Sequence, residues 1–442
     1  MLATALRAGL KDYNITTFKD DLVAGLVVSL IALPLSMALS IAVGLPPQHG
    51  LYTAIVAGIA AALLGGCRTQ VSGPTAAFVV ILAPIVSDFG LHGIIWCQIF
   101  SGIMLVALGT ARLGKLIAYV PYPVVTGFTS GIAIVIATLA LNDFLGLDIT
   151  SLKGDYLEKV VTLARHLPGM KLQEALVGIV TLVTIFFFGK ITTKIPSPVA
   201  GIGIGTLLAL IFSGNGYAVE TLLSRFSGIP PYAPVFHLPT FEADSLFSIP
   251  GYAEFKTLIF PSMVIAALAA LESLLAATVA DDMTKTKHDP NAELNGLGIA
   301  NILSGLVAGI PATGAIARTA TNIHAGAKTP FASVIHALFI LLYVLTLAPY
   351  ISHIPMAAMA ALLLATAYRM SHVKQFAHII RTAPKSDVIV LIGCFLPTVL
   401  IDMVAGVTTG MALTGIFFYK NRKNQISKIA HEEEKSLKEL LK

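Results

Sequence analysis

Charge is the scarcest property of this sequence. Only 12% of its 442 residues are Asp, Glu, Lys or Arg, about half the share of a soluble domain. So little polar surface cannot coat a globule of this length, which excludes a water-soluble fold. Lipid must serve as much of the solvent, in keeping with 56% hydrophobic residues and a mean hydropathy of +0.82. The net charge of +5 forms no basic stripe, so a nucleic-acid partner is excluded. Cysteine is also sparse. Cys67, Cys97 and Cys394 lie in or beside apolar runs with no Cys-x-x-Cys or Cys/His spacing. They read as small core residues, with no disulfide and no metal site. No P-loop, nucleophile triad or metal-binding cluster appears, so neither an enzyme nor a cofactor is expected. No cleavable leader is evident. The first apolar run begins near Leu22, after a polar stretch with Arg7, Lys11, Lys19, Asp20 and Asp21, and is long enough to span.

What the chain has in abundance is apolar runs of membrane-spanning length. They fall near 22–44, 51–66, 91–110, 118–141, 172–190, 197–213, 258–280, 294–310, 331–350, 386–402 and 404–420. Runs at 74–87, 314–326 and 355–370 are short or broken. The expected fold is an all-α polytopic membrane protein of about fourteen segments in two groups of seven. One set of loops carries Arg68, Arg112 with Lys115, Lys190 with Lys194, Lys285 with Lys287, Lys328, Arg369, Lys374, and Arg381 with Lys385. The alternate set (Pro46 to His49, Asp88 to His92, Gly309 to Pro311, Ser352-His353) is nearly free of Lys and Arg; its longer members, 142–171 and 214–257, are mixed or acidic. By the positive-inside rule the basic set faces the cytoplasm with both termini. That gives a cytoplasmic segment at 1–20, an extracytoplasmic loop at 214–257 and a polar cytoplasmic tail or linker at 421–442. Trp96, Tyr119, Tyr122 and Phe417 to Tyr419 sit near span ends and read as interfacial anchors. Asp402 closes a span and reads the same way.

Two interruptions stand out. In Gln70-Val71-Ser72-Gly73-Pro74-Thr75-Ala76, the first residues read as extended, Gly73 permits a tight turn and Pro74 suits the first helical position. A helix should start at about Thr75. Gly309-Ile310-Pro311-Ala312-Thr313-Gly314-Ala315-Ile316 repeats the scheme, with a helix from about Ala315. Each break lies in the third segment of its group of seven. Matching breaks in two halves point to an inverted-repeat transporter with its site at the midplane. The first amides of a helix lack partners and carry about half a positive charge, so two half-helices meeting there make an anion site. The alternative is two ordinary Gly/Pro kinks in spanning helices.

Two charges stand in the same neighbourhood. Arg318 follows the second break in an otherwise apolar helix, and Glu272 lies halfway along an Ala-rich span. An intramembrane charge costs roughly 2.5–3.5 kcal/mol on insertion scales, so each needs a partner. Either they form a structural ion pair with each other, or Arg318 faces the substrate anion while Glu272 takes a proton. Ser36, beside Pro34, either lines the pocket or packs beside a kink. Asp281, Asp282 and His288-Asp289 read as a solvated loop rather than a metal or gating site.

Leu45-Pro46-Pro47-Gln48-His49-Gly50-Leu51-Tyr52 and Val71 to Ala76 resemble the signature of the SulP, or sulfate permease, family of anion transporters, over about Phe18 to Tyr419. Within the family it resembles the bacterial C4-dicarboxylate transporters, through Tyr52 to Ile55, Ser72 to Leu82, Glu272 to Leu275, Thr286 to His288, Ala315 to Arg318 and Met356 to Leu364. The resemblance implies a seven-plus-seven inverted repeat with two half-helices meeting at the midplane. A core (transport) domain, 21–115 and 258–350, would move against a gate (scaffold) domain, 116–213 and 355–420, in an elevator-like cycle. It implies a homodimer in a bacterial inner membrane and proton-coupled uptake of succinate or fumarate, with bicarbonate or sulfate transport, or a channel-like protein, as alternatives. Carried over by position, the substrate site is Thr75, Ala76, Gly314, Ala315, Ile316 and Arg318, with Ser36 added from its place beside Pro34. Gly73, Pro74 and Pro311 make the helix breaks, and Glu272 carries the proton. Sodium-coupled members hold their ion with an Asp and two Thr where this sequence has Glu272, Ala276 and Ile316, so no sodium site is expected. Leu35 replaces the Gln of many eukaryotic sulfate carriers. The STAS domain that usually follows the last span is not expected within these 442 residues.

Overall fold

The computed structural model describes residues 2–11, 13–114, 122–149, 152, 154–192, 195–242, 245–401, 404–417 and 419. Lys115, Tyr119, Lys194, Asp402, Phe418 and the expected tail at 421–442 lie outside the described residues.

Among the described residues the apolar runs are mostly helical. In order come α1 (Thr4–Leu10), α2 (Ile15–Ala42), α3 (Pro47–Leu64), α4 (Val79–Thr110), α5 (Tyr122–Leu145), α6 (Tyr156–His166), α7 (Leu172–Phe187), α8 (Ser197–Gly214) and α9 (Leu222–Phe226). Then follow α10 (Tyr252–Thr284), α11 (Pro290–Gly305), α12 (Ile316–His324), α13 (Phe331–Ile351), α14 (Met356–Met370), α15 (Val373–Thr382), α16 (Lys385–Leu400) and α17 (Val404–Phe417). Nine helices among the described residues are long and apolar enough to cross a membrane on length and composition alone. Each of the fourteen apolar runs carries helix once α4 is counted as two. Its halves meet at Gly90, whose φ of 62° and ψ of −155° are non-helical and favour a residue without Cβ.

Local chemistry sets several helix starts. Asn14 Oδ1 accepts the Thr16 and Thr17 amides at 2.9 and 3.0 Å and caps α2. Asp289 caps α11 from the position before Pro290, taking the Asn291 and Ala292 amides at 3.0 and 3.1 Å. Asp21, which the sequence sets in a polar stretch, is fully buried. It takes the Lys328 and Thr329 amides at 2.8 and 3.2 Å and so ties α2 to the start of α13. Asp281 receives the His288 amide and ring Nδ1 at 3.0 and 2.7 Å, which closes the loop between α10 and α11.

The chain divides into two compact units, one of Met1–Ala118, Ile136–Gly154 and Glu158–Ala367, the other of Tyr119–Val135, Asp155–Leu157 and Tyr368–Lys442. In the first, α4 and α11 approach until their backbones nearly touch. A Cβ on Gly102 would lie 2.6 Å from the Gly298 carbonyl oxygen, and one on Gly298 would lie 2.6 Å from that of Gly102. In lipid, where apolar burial gives helices little reason to associate, such small-residue contacts supply the attraction. In the same unit Arg225 donates from Nη1 to Asp143 at 2.8 Å and from Nε to Glu220 at 2.8 Å, with a second bond to Glu220 from Nη2. Burial works against the Arg225 charge, but these carboxylates outweigh it and hold the guanidinium's proton affinity above its ordinary value. In the second unit the first half of α5 lies on α16. A Cβ on Gly127 would meet the Leu391 carbonyl at 2.5 Å, and Ser130 donates to the Ser371 carbonyl at 2.7 Å.

One element departs from an all-α expectation. Ser72–Pro74 (β1) and Ala312–Gly314 (β2) are strands, paired antiparallel with Ser72 opposite Gly314, Gly73 opposite Thr313 and Pro74 opposite Ala312. Pro74 therefore sits in a strand rather than at the first helical position. Lacking an N–H, it is tolerated at the end of a short, two-stranded ladder where no donor is required of it.

Replacing Gly298 with Val should force α4 and α11 apart. The expected outcome is a clear drop in the thermal unfolding midpoint of purified protein in detergent, with Gly298→Ala intermediate; unchanged midpoints for both would show that the close contact carries no stability.

Candidate functional site

Strands inside a membrane protein have no water to satisfy their edges, so side chains must do it. Around β1 and β2 they do. Asn301 of α11 reads the Ala312 backbone like a partner strand, donating Nδ2 to its carbonyl at 3.0 Å and accepting its amide at 2.9 Å. Thr53 of α3 takes the Ile310 amide at 2.6 Å and donates to its carbonyl at 2.8 Å, where Gln98 Nε2 of α4 adds a second bond at 2.8 Å. Ahead of β1, Asn322 Nδ2 reaches the Thr69 carbonyl at 2.8 Å and Ser333 the Gln70 carbonyl at 2.6 Å. The Val71 amide donates to Thr319 Oγ1 at 3.1 Å, and the Val71 carbonyl accepts the Ala315 amide at 2.9 Å. All these residues belong to the first compact unit.

Each strand feeds a helix start. After β1 comes Thr75, extended, then a short 3-10 turn over Ala76–Phe78 that runs into α4. After β2 comes Ala315, extended, then α12. Neither start carries a side-chain cap. Their first amides therefore point outward without intrahelical partners. Because the strands are antiparallel, the two starts leave from opposite ends of the pair, roughly four residue rises or about 13 Å apart.

Arg318 lies in the first turn of α12 and is 3% exposed. Its Nη2 donates to the Pro74 carbonyl, so a side chain from the second break reaches across to the first. Its Nε and Nη1 are buried with no hydrogen-bond partner. The contact with β1 is close: a Cβ on Gly73 would lie 2.7 Å from Nη1. Glu272, half-buried on α10, accepts a hydrogen bond from Thr75 Oγ1 at 2.9 Å. No ion pair within 4.0 Å joins Glu272 to Arg318 among the described residues. Of the two readings of these charges, a mutual structural pair is not what the structure adopts. Each instead fastens to a different residue of the first break.

The remaining predicted residues are placed as follows. Ala76 is buried and Ala315 half-buried, while Ile316 is 44% exposed. Pro311 is buried just before β2. Gly314 is buried with no room for a side chain, since a Cβ would sit 2.1 Å from Gln70 Nε2 and 3.0 Å from the Ser273 Cα. Ser36 is fully buried in α2 with its carbonyl against Gly50 of α3, and its hydroxyl has no hydrogen-bond partner. Sequence reasoning missed the clamps Thr53, Gln98 and Asn301, and a buried acid, Glu293 of α11. The only available signal for these was a polar side chain in an apolar helix.

The sulfate permease family model matches residues 18–394. The chain is 40% identical over 424 residues to YvdB of Bacillus subtilis (strain 168), which carries a sulfate-transporter name, covering 96% of this chain and 77% of that one. It is 28% identical over 417 residues to the bicarbonate transporter BicA of Picosynechococcus sp., covering 92% and 71%. The solved transmembrane domain of a cyanobacterial BicA is similar with a TM-score of 0.78 at 27% identity, covering 89% of this chain and 98% of that domain. Murine Slc26a9 in its inward-facing state shares the fold, with a TM-score of 0.83 at 18% identity over 95% of this chain and 71% of that one. The polytopic helical fold, the paired breaks and a family match over most of the sequence agree: the chain is a multi-pass membrane protein belonging to the sulfate permease family of anion transporters.

Proposed function

We propose that this chain is a secondary active transporter that takes up a small oxyanion together with protons. The observation that carries the reading is Arg318, a buried guanidinium with Nε and Nη1 unpartnered beside two uncapped helix starts. An unsatisfied buried charge costs several kcal/mol, and an anion seated against these donors would relieve it. Thr75 supplies the coupling. Its hydroxyl now donates to the Glu272 carboxylate. When Glu272 gains a proton it turns from acceptor to donor, its repulsion of an incoming anion disappears, and the Thr75 hydroxyl is released to donate to the substrate. Proton and anion then enter together. Glu272, Ala276 and Ile316 offer no matched set of oxygens for sodium, so protons are the coupling ion in this reading.

For substrate, sulfate and bicarbonate come first, because they are the anions in the names of the relatives. Succinate and fumarate form a second reading, favoured by Leu35 and by the likeness of Ala315 to Arg318 to bacterial dicarboxylate carriers. The further proposals are those of the family: a homodimer in the bacterial plasma membrane, both termini cytoplasmic, with the core (21–115 and 258–350) moving against the gate (116–213 and 355–420) in an elevator-like cycle.

In proteoliposomes, uptake of the transported anion should rise as the outside is acidified, one pH unit supporting about tenfold accumulation per proton. A panel of sulfate, bicarbonate, succinate and fumarate identifies that anion, and substitution of choline for sodium should leave the rate unchanged. Flat uptake across the pH gradient would remove proton coupling. Arg318→Ala should lower uptake by about tenfold or more, the loss of a charge-assisted bond. Glu272→Gln should abolish the response to pH while retaining downhill exchange; a wild-type pH response in that variant would relieve Glu272 of its role.

A further inference from the structure

Glu293 is a buried carboxylate that the coupling scheme does not use. It lies in the first turn of α11 and is 2% exposed. Its Oε2 accepts the Gly66 and Cys67 amides at 2.9 and 3.1 Å, and its Oε1 accepts Gln70 Nε2 at 2.7 Å and Ser273 Oγ at 3.0 Å. No Lys, Arg or His forms an ion pair with it among the described residues. Four donors thus converge on one carboxyl group and hold both of its oxygens.

The carboxylate also dictates its neighbours. Gln70 points its NH2 at Glu293 and at Ser273 Oγ, the latter at 2.6 Å, and leaves its own Oε1 buried without a partner. Gln70, Ser273 and Glu293 form a closed triangle. Two of its corners adjoin the anion site in the chain. Ser273 follows Glu272 on α10, and Gln70 leads through Val71 into β1 and Thr75. Strand β2 passes directly over it, since a Cβ on Gly314 would strike Gln70 Nε2. The triangle therefore cross-links α10 to the base of β1, while the Thr75–Glu272 bond cross-links them at the far end of the same strand.

We propose that Glu293 is a positioning residue for transport. Its carboxyl group locks Ser273 and Gln70 together and so sets the spacing between Glu272 and Thr75. The inference rests on reading the junction of β1 and α10 as the anion site. The two acids then have separate roles. Glu272, with one hydrogen-bond donor, exchanges a proton, and Glu293, with four, holds the frame.

The test is substrate-dependent uptake and thermal unfolding of Ser273→Ala, Glu293→Gln and the double variant, beside Arg318→Ala, using the anion that the substrate panel identifies. Ser273→Ala should raise KM about tenfold, as expected for a lost bond to a charged group, with Vmax and the unfolding midpoint near wild type. Glu293→Gln should fold, because Gln70 can turn its free Oε1 to the new amide. It should raise KM further, and adding Ser273→Ala should change little, since both break the same arm. If Glu293→Gln fails to fold, Ser273→Ala decides alone. KM within twofold of wild type in the folded variants, with uptake lost in Arg318→Ala, overturns this inference alone. Wild-type uptake in Arg318→Ala overturns the site reading and this inference with it.

Discussion

Six residues of extended backbone in the interior of a membrane protein impose the constraint on which the rest of the structure depends. Helices satisfy their own peptide groups, and strands of three residues cannot. β1 and β2 satisfy one edge by pairing, and the rest falls to side chains from α3, α4, α11, α12 and α13. This accounts for the otherwise odd presence of Thr53, Gln98, Asn301, Thr319 and Ser333 in apolar helices. Each is placed against a backbone atom of the two breaks or of the residues that lead into them. The close helix packing follows from the same need, because a clamp such as Asn301 works only where α11 lies against β2.

On that platform the charges take their places. Arg318 is anchored by one nitrogen to the Pro74 carbonyl, which aims the guanidinium without neutralising it. Glu272 is held by Thr75 rather than by Arg318. Had the two acid and base groups paired, the site would be satisfied and inert. Separate anchorage on one strand end keeps a guanidinium and a carboxyl group near each other while leaving both with unused bonding capacity.

The sequence made the spans, the broken third and tenth segments, Arg318 and Glu272 legible, because each is a local contrast: a charge or a Gly/Pro pair in an apolar run. The strand pairing was not legible. Three-residue strands leave no periodicity, and their partners lie about 240 residues apart, so Gly73-Pro74 read as a turn and a helix start. Glu293 escaped because an acid in the first turn of a helix capped by Asp289 has an ordinary local explanation in the helix dipole. Its real surroundings, Gly66, Cys67, Gln70 and Ser273, come from two other segments of the chain. The break at Gly90 was legible too: Asp88 to His92 reads as a short polar connection between two segments, and α4 divides there at a non-helical glycine.

The pairing of β1 with β2 also bears on how the protein is made. A ribosome adding roughly 5–20 residues each second needs on the order of 10–50 s to travel from Pro74 to Ala312. For all that time the first half of the chain holds an extended segment whose partner does not exist, and the clamps from α11, α12 and α13 are missing as well. The first half cannot complete its own interior. Its unfinished strand has to wait in a sheltered place, and the membrane insertion machinery is where a nascent chain of this kind would find one. The two halves of the repeat are thus bound by a schedule of assembly as much as by their geometry.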